Sequence, residues 1–193
     1  MRLLYTNTSP YARKVRIALL EKGLPVELVV TLPSQPEVSD KNPLGKIPVL
    51  QRADGSAVYD SRVIVQLLEA VAPEPALLPH DPMRRIDVLR WEALCDGVCD
   101  AMVARMLEMR QPTPDQGFVA HQEGKVRRGL AAIQAGLGEG WLFEDFGLAD
   151  IAVAAAVGYV GLRGPALLAE RPVLLQRYAE WCERPSIGAT LPG

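Results

Sequence analysis

The stretch Thr8-Ser9-Pro10-Tyr11-Ala12-Arg13-Lys14-Val15-Arg16 decides how this chain is read. It follows a short apolar run, Leu3-Leu4-Tyr5, that reads as a strand, and it opens a helix. Pro10 suits the first helical position, where its missing N–H costs nothing, and Gly23 suits the position just past the helix end. Ser9 therefore stands where a strand hands over to a helix. The free N–H groups of the first turn point outward and carry roughly half a positive charge, so a hydroxyl there can help to hold an anion. It can equally serve only as an N-cap. The basic residues Arg13, Lys14 and Arg16 fall on one helix face, and such a face is expected to be solvated.

Outward from this stretch, Val26-Glu27-Leu28-Val29-Val30 reads as a second strand. Residues 32–45 are irregular, with Pro33, Pro36, Pro43 and Gly45 leaving room for at most a short helix. Ile47-Pro48-Val49-Leu50-Gln51 reads as a strand with Pro near its start, a position proline tolerates. Asp54-Gly55 marks a hairpin turn, with Ala57-Val58-Tyr59 as the return strand. Ser61 can cap the next helix, whose apolar positions Ile64, Val65, Leu68 and Val71 recur at helical spacing. The order strand, helix, strand, short helix, strand, hairpin, strand, helix implies a four-stranded mixed sheet with helices on its faces, a small α/β domain over residues 1–75.

Prolines 73, 75, 79 and 82 mark a linker, and beyond it no strand signal appears. Val88, Trp91, Cys95, Val98, Met102 and Met106 step by three and four along one helix face. Ala93, Gly97, Ala101 and Ala104 form a second stripe, of small residues, where another helix can come close. Asp96 and Asp100 fall on the polar side, expected to face water or a partner subunit. Val126, Leu130, Ile133 and Leu137 mark another helix. In Phe146-Gly147-Leu148-Ala149-Asp150-Ile151, Gly147 takes an N-cap position, with Asp150 three residues on and Phe146 and Ile151 spaced to staple. A last helix runs from about Pro172 to Glu183, with Leu175, Tyr178, Ala179 and Cys182 expected inward. Residues 82–193 thus read as an all-α bundle.

Composition narrows the function. The chain has 193 residues, 49% of them hydrophobic, and a formal net charge of −2. That size supports a real core, and the near-neutral balance argues against a nucleic-acid surface. Three cysteines are too few for a disulfide framework. With no signal-peptide core and no membrane-length apolar run, the expectation is a reduced, cytoplasmic protein without a membrane partner. Only two histidines, with no close Cys/His set, speak against a metal centre.

Four separated pieces make the chain resemble the cytosolic glutathione transferases over essentially its whole length. Ser9 to Arg16 resembles the active-site helix of that family. Asn42-Pro43-Leu44-Gly45-Lys46-Ile47-Pro48-Val49-Leu50 resembles its cis-proline loop, Asp60-Ser61 its acidic-serine pair, and Gly147-Leu148-Ala149-Asp150-Ile151 the capping motif of its helical domain. Within the family the chain looks most similar to small bacterial members. The resemblance implies a thioredoxin-like N-terminal domain, glutathione as co-substrate, a small electrophile in the cleft between the domains, and a homodimer. Gly147 departs from the usual Ser or Thr of the capping motif, a change worth only a few tenths of a kcal/mol at such a position.

The resemblance also implies roles. Ser9 would donate to the glutathione sulfur and, with the helix N-terminus, favour its thiolate. The Ile47 backbone, turned by a cis peptide to Pro48, would pair with the cysteinyl part of glutathione in the manner of an added strand. Asp60 would meet the γ-glutamyl ammonium, Ser61 at its helix start the γ-glutamyl carboxylate, and Lys46 a glutathione carboxylate. Tyr11 and Arg13 are weaker candidates for the second-substrate pocket. Serine rather than cysteine at position 9 favours conjugation over a mixed-disulfide mechanism. Two rival readings are a non-catalytic scaffold of the same fold and a glutathione-dependent peroxidase.

Overall fold

The computed structural model describes residues 1–193, which divide into two compact units. The first joins Met1–Leu78 to Pro185–Gly193, and the second is Pro79–Arg184.

The first unit holds β1 (Arg2–Tyr5), α1 (Pro10–Glu21), β2 (Glu27–Val30), α2 (Pro36–Ser39), β3 (Val49–Gln51), β4 (Ala57–Val58) and α3 (Ser61–Val71). The strands form one mixed sheet in the order β2-β1-β3-β4, with β1 parallel to β2, antiparallel to β3, and β3 antiparallel to β4. Alternation along the strands sends Leu4 and Val49 to one face, where they bury Val38 of α2 with Val29, Ile47 and Ala57 around them. Leu3 and Leu50 point to the other face and are fully buried. α1 and α3 lie side by side and bury Ala12, Val15, Ala18, Ile64, Val65 and Leu68. Val71, expected in that stripe, is 54% exposed because it is the last residue before the helix ends at Ala72.

Two calls from the sequence need correction here. Arg13 and Lys14 are each 1% exposed, not solvated. The reason for Arg13 is the chain's end: its guanidinium donates to the carbonyl of Ile187 (3.3 Å) and reaches the Thr190 hydroxyl (3.5 Å), where α9 (Pro185–Gly188) lies against α1. The Ser186 hydroxyl donates to Glu21 at the other end of α1. Residues 185–193, read from sequence as part of the helical domain of residues 82–193, therefore belong to the sheet-bearing unit. The α1–α3 pair is further tied by Lys22, whose ammonium, with its side chain fully buried, meets Glu69 at 2.7 Å and the carbonyls of Ala72 (2.7 Å) and Pro75 (2.9 Å).

The second unit is helical: α4 (Pro82–Glu108), α5 (Gln116–Gly136), α6 (Leu148–Arg163), α7 (Pro165–Ala169) and α8 (Pro172–Trp181). α6 is buried at every position from Leu148 to Val160, as an all-round apolar helix must be. α4 packs against both α5 and α6. It therefore has little surface left for a polar face, and Asp96, expected at water or a partner subunit, is 6% exposed beside Glu92 at 2%. α8 turns a different face inward from the one expected: Leu174 and Trp181 are buried while Leu175 is 44% exposed. The large Trp181 ring sets that rotation by packing on Trp141, with centroids 5.4 Å apart. Trp141 also meets Phe146 edge-on at 4.8 Å, and Arg184 lies 3.8 Å over the Phe146 ring.

α5 approaches α4 through glycines. A Cβ on Gly129 would strike the Val98 side chain, and one on Gly136 the Trp91 ring. Val98 is β-branched and held by its helix, so it cannot swing aside. Gly129→Ala is expected to lower stability by about 2 kcal/mol through overpacking, read as a lower urea midpoint with an unchanged slope. A neutral result would show that the two helices are free to move apart.

The start of α6 is built around Asp150. One carboxylate oxygen accepts the Gly147 N–H (3.0 Å) and the other the Leu142 N–H (2.8 Å), so one fully buried side chain caps the helix and pins the preceding loop. Burial pushes its carboxyl up to about 6, against the pull of those N–H groups and of Arg184.

Candidate functional site

Strand register brings three distant segments together. Leu4 pairs with Val49 and Leu50 with Val58. Extending those ladders by one or two residues sets Tyr5 opposite Pro48, and Asp60 on the far side of Pro48. The C-terminal end of β1, the N-terminal end of β3 and the C-terminal end of β4 thus lie at one end of the sheet. Ser9 follows the first, Ile47-Pro48 precedes the second, and Asp60-Ser61 follows the third. Two helices, α1 and α3, begin there.

Ser9 is half-buried and extended (φ −79°, ψ 121°), and its Oγ accepts the Ala12 N–H at 3.2 Å. The hydroxyl is thus an N-cap. That leaves its own proton free to donate, since a hydroxyl has two acceptor lone pairs and one O–H. Capping and anion-holding are compatible in the same side chain. Pro10 at the first helical position contributes no N–H.

The second segment is shaped by Asn42, which is 2% exposed. Its amide donates to the Lys46 carbonyl (2.8 Å) and accepts from the Leu44 N–H (3.1 Å). Gly45 holds a left-handed backbone (φ 61°), its N–H bonds to the Asn42 carbonyl (2.8 Å), and a Cβ there would crowd the Ser34 backbone. Asn42 is the residue whose importance the sequence reading passed over: it appears in the motif, but only the folded loop shows it clasping both sides of the turn. Ile47 is half-buried, Pro48 is buried, and the peptide between them is cis, as the resemblance implies. Lys46 is exposed.

In the third segment the cap differs from the sequence expectation. Asp60, not Ser61, is the N-cap of α3: its Oδ1 accepts the Arg62 N–H at 3.0 Å. An extended Asp60 backbone (φ −87°, ψ −161°) places Ser61 as the first helical residue, 2% exposed. Asp60 itself is exposed, so one carboxylate serves the helix and still faces solvent. The Tyr59–Asp60 peptide is cis. Tyr11 is half-buried, while Arg13, engaged with Ile187 and Thr190, is withdrawn from the surface.

No helix is long and apolar enough to cross a membrane, and no three His, Cys, Asp or Glu side chains gather to hold a metal ion. Cys95 and Cys99 are buried free thiols, and Cys182 is half-buried and free.

Comparison with known proteins agrees with this arrangement. The family model for the glutathione S-transferase N-terminal domain matches residues 3–76, and that for the C-terminal domain matches residues 116–184. An uncharacterized GST-like protein of Escherichia coli, YibF, is 37% identical over the whole chain and 98% of its own length. A maleylacetoacetate isomerase of Pseudomonas aeruginosa is 39% identical over 76% of this chain and 74% of its own. Among solved structures, a glutathione S-transferase of Methylobacillus flagellatus with glutathione bound superposes with a TM-score of 0.93, at 44% identity over 100% of this chain and 99% of its own. One from Methylobacterium radiotolerans, in complex with glutathione sulfonate, also gives 0.93, at 42% identity over 99% and 94%. With both domains matched and full-length relatives well above 30% identity, the chain belongs to the glutathione S-transferase family.

Proposed function

We propose that the chain is a glutathione-dependent enzyme that binds glutathione at this end of the sheet and activates its thiol for attack on a small electrophile. The observation that carries the reading is the convergence there of Ser9, Ile47-Pro48 and Asp60-Ser61 with the N-termini of α1 and α3. Relatives crystallised with glutathione or its sulfonate support it.

The donor set fits glutathione group by group. The free N–H groups and partial positive charge at the start of α1, with the Ser9 O–H, suit a thiolate. The start of α3 with Ser61 suits a carboxylate, and the solvent-facing side of Asp60 suits an ammonium. The Ile47 backbone N–H and C=O, ahead of β3, can pair with an extended peptide, and Lys46 can reach an outer carboxylate. Ser9 stabilises the anion and forms no covalent bond. A scaffold has no use for this constellation. Disulfide chemistry would call for a cysteine where Ser9 stands. The same reading takes the chain as a homodimer, which light scattering would report as twice the mass of one chain.

Calorimetric titration with glutathione is the direct test. Asp60→Asn keeps an equally good N-cap but removes the charge, so binding should weaken at least about tenfold, the worth of a charge-assisted hydrogen bond. A wild-type protein with no glutathione affinity up to millimolar concentration would overturn the reading.

A further inference from the structure

The helical unit carries positive charge that nothing in the protein answers. At the last turn of α6, Arg163 sits one turn beyond Tyr159, and Arg110 follows the end of α4. Tyr159 and α4 meet there: the phenol O–H points at the Met106 sulfur, 3.9 Å away, a weak acceptor. Both arginines lie close enough to that hydroxyl to act on it electrostatically; burial pushes the phenol above the ordinary tyrosine range while Arg163 and Arg110 pull it down.

The neighbouring carboxylates are committed elsewhere. Glu123 holds Arg105 (2.8 Å) and Arg127 (3.4 Å), Glu170 holds Arg127 (3.0 Å), and Glu108 accepts the Asp115 N–H (2.8 Å). Arg105 also donates to the Arg163 carbonyl (3.4 Å), adding a further cation. Arg163 is half-buried and its Nε is buried without a hydrogen-bond partner. A buried guanidinium N–H left unmade is costly, and Arg163 and Arg110 form no ion pair.

We propose that Arg163 and Arg110, flanking the Tyr159 hydroxyl, form a binding site for the carboxylate of an acidic electrophile. A guanidinium offers paired N–H donors that match a carboxylate fork, and a phenol adds a neutral third donor. Met106, beside the phenol, supplies apolar contact for the body of such a molecule. Selection then falls on small electrophiles that carry an acid group, over neutral ones of the same shape. The proposal rests on the reading above for the reaction the acid undergoes, but not for its binding.

A chloronitrobenzoate and its methyl ester are suitable probes, since they share one reactive carbon and differ in the charge. In the presence of glutathione, the sulfur–carbon bond forms at the chlorine-bearing carbon, chloride leaves, and the thiol proton passes to solvent. Binding is measured first, without glutathione, by calorimetry. Wild type should bind the acid about tenfold or more tightly than the ester. Arg163→Gln and Arg110→Gln should each bring the two close to parity. Arg110 is exposed, so its replacement does not endanger folding. Arg127→Gln, which removes the same charge from an arginine already paired with Glu170 and Glu123, should keep the preference. A wild type that binds neither probe, or both equally, overturns the site. So does a preference that survives both variants, or one that Arg127→Gln also abolishes. Acid binding without turnover would leave the site standing and count against the glutathione reaction.

Discussion

Ser9→Ala is expected to lower kcat/KM for glutathione with an electrophile by about ten- to hundredfold. The argument starts from the thiol. Free thiols of this kind have a pKa of about 8.5, so a thiolate near neutral pH needs a drop of about one to two units, or about 1.4–2.7 kcal/mol. One hydrogen bond to an anion plus a helix N-terminus is of that size. Removing the hydroxyl takes away the first and leaves the second, so a residual activity should remain. The pH at which bound glutathione ionises, followed by thiolate absorbance, should rise in the variant. Because Oγ also caps α1 through the Ala12 N–H, the variant should lose about 1 kcal/mol of stability as well. Lost stability with unchanged turnover and an unchanged thiol ionisation would make Ser9 a cap and nothing more.

Asp150→Ala should have the larger effect on folding, about 3–5 kcal/mol. Two backbone N–H groups, of Gly147 and Leu142, lose their acceptor, each at about 1–3 kcal/mol, at the start of the most deeply buried helix in the unit. The pH dependence identifies the cause. With its carboxyl raised to about 6 by burial, folded Asp150 holds its proton more tightly than the unfolded chain does, whose aspartates titrate near 3.9. Its contribution to stability is therefore greatest at acid pH and is lost as the pH rises through about 6. The gap between wild type and Asp150→Ala in urea unfolding should thus widen by about 1 kcal/mol from pH 7 to pH 5. A gap that narrows on acidification would mean that the ionised carboxylate is the stabilising form.

Much of this was legible before any coordinates. Periodicity and turn chemistry placed the strands, the hairpin at Asp54-Gly55 and the long helices, because those signals are local. Pro10 and Gly23 bracketed α1 for the same reason. Gly147 and Asp150 announced their cap because its partners lie within a few residues of each other. The candidate site was readable as three motifs, though each alone could have been an ordinary cap or strand start.

Tertiary structure decided what depends on long-range packing. Only strand register gathers Ser9, Pro48 and Asp60 at one end of the sheet. Arg13 looks solvated in sequence and is buried because residues more than a hundred and seventy positions away supply its acceptors. The same contact moves the chain's last residues into the first unit. α8 rotates because Trp181 finds Trp141, and Asp96 is buried because α4 is covered by two helices. In each case the local pattern states which residues can be apolar or charged, while burial depends on which distant surface arrives to cover them.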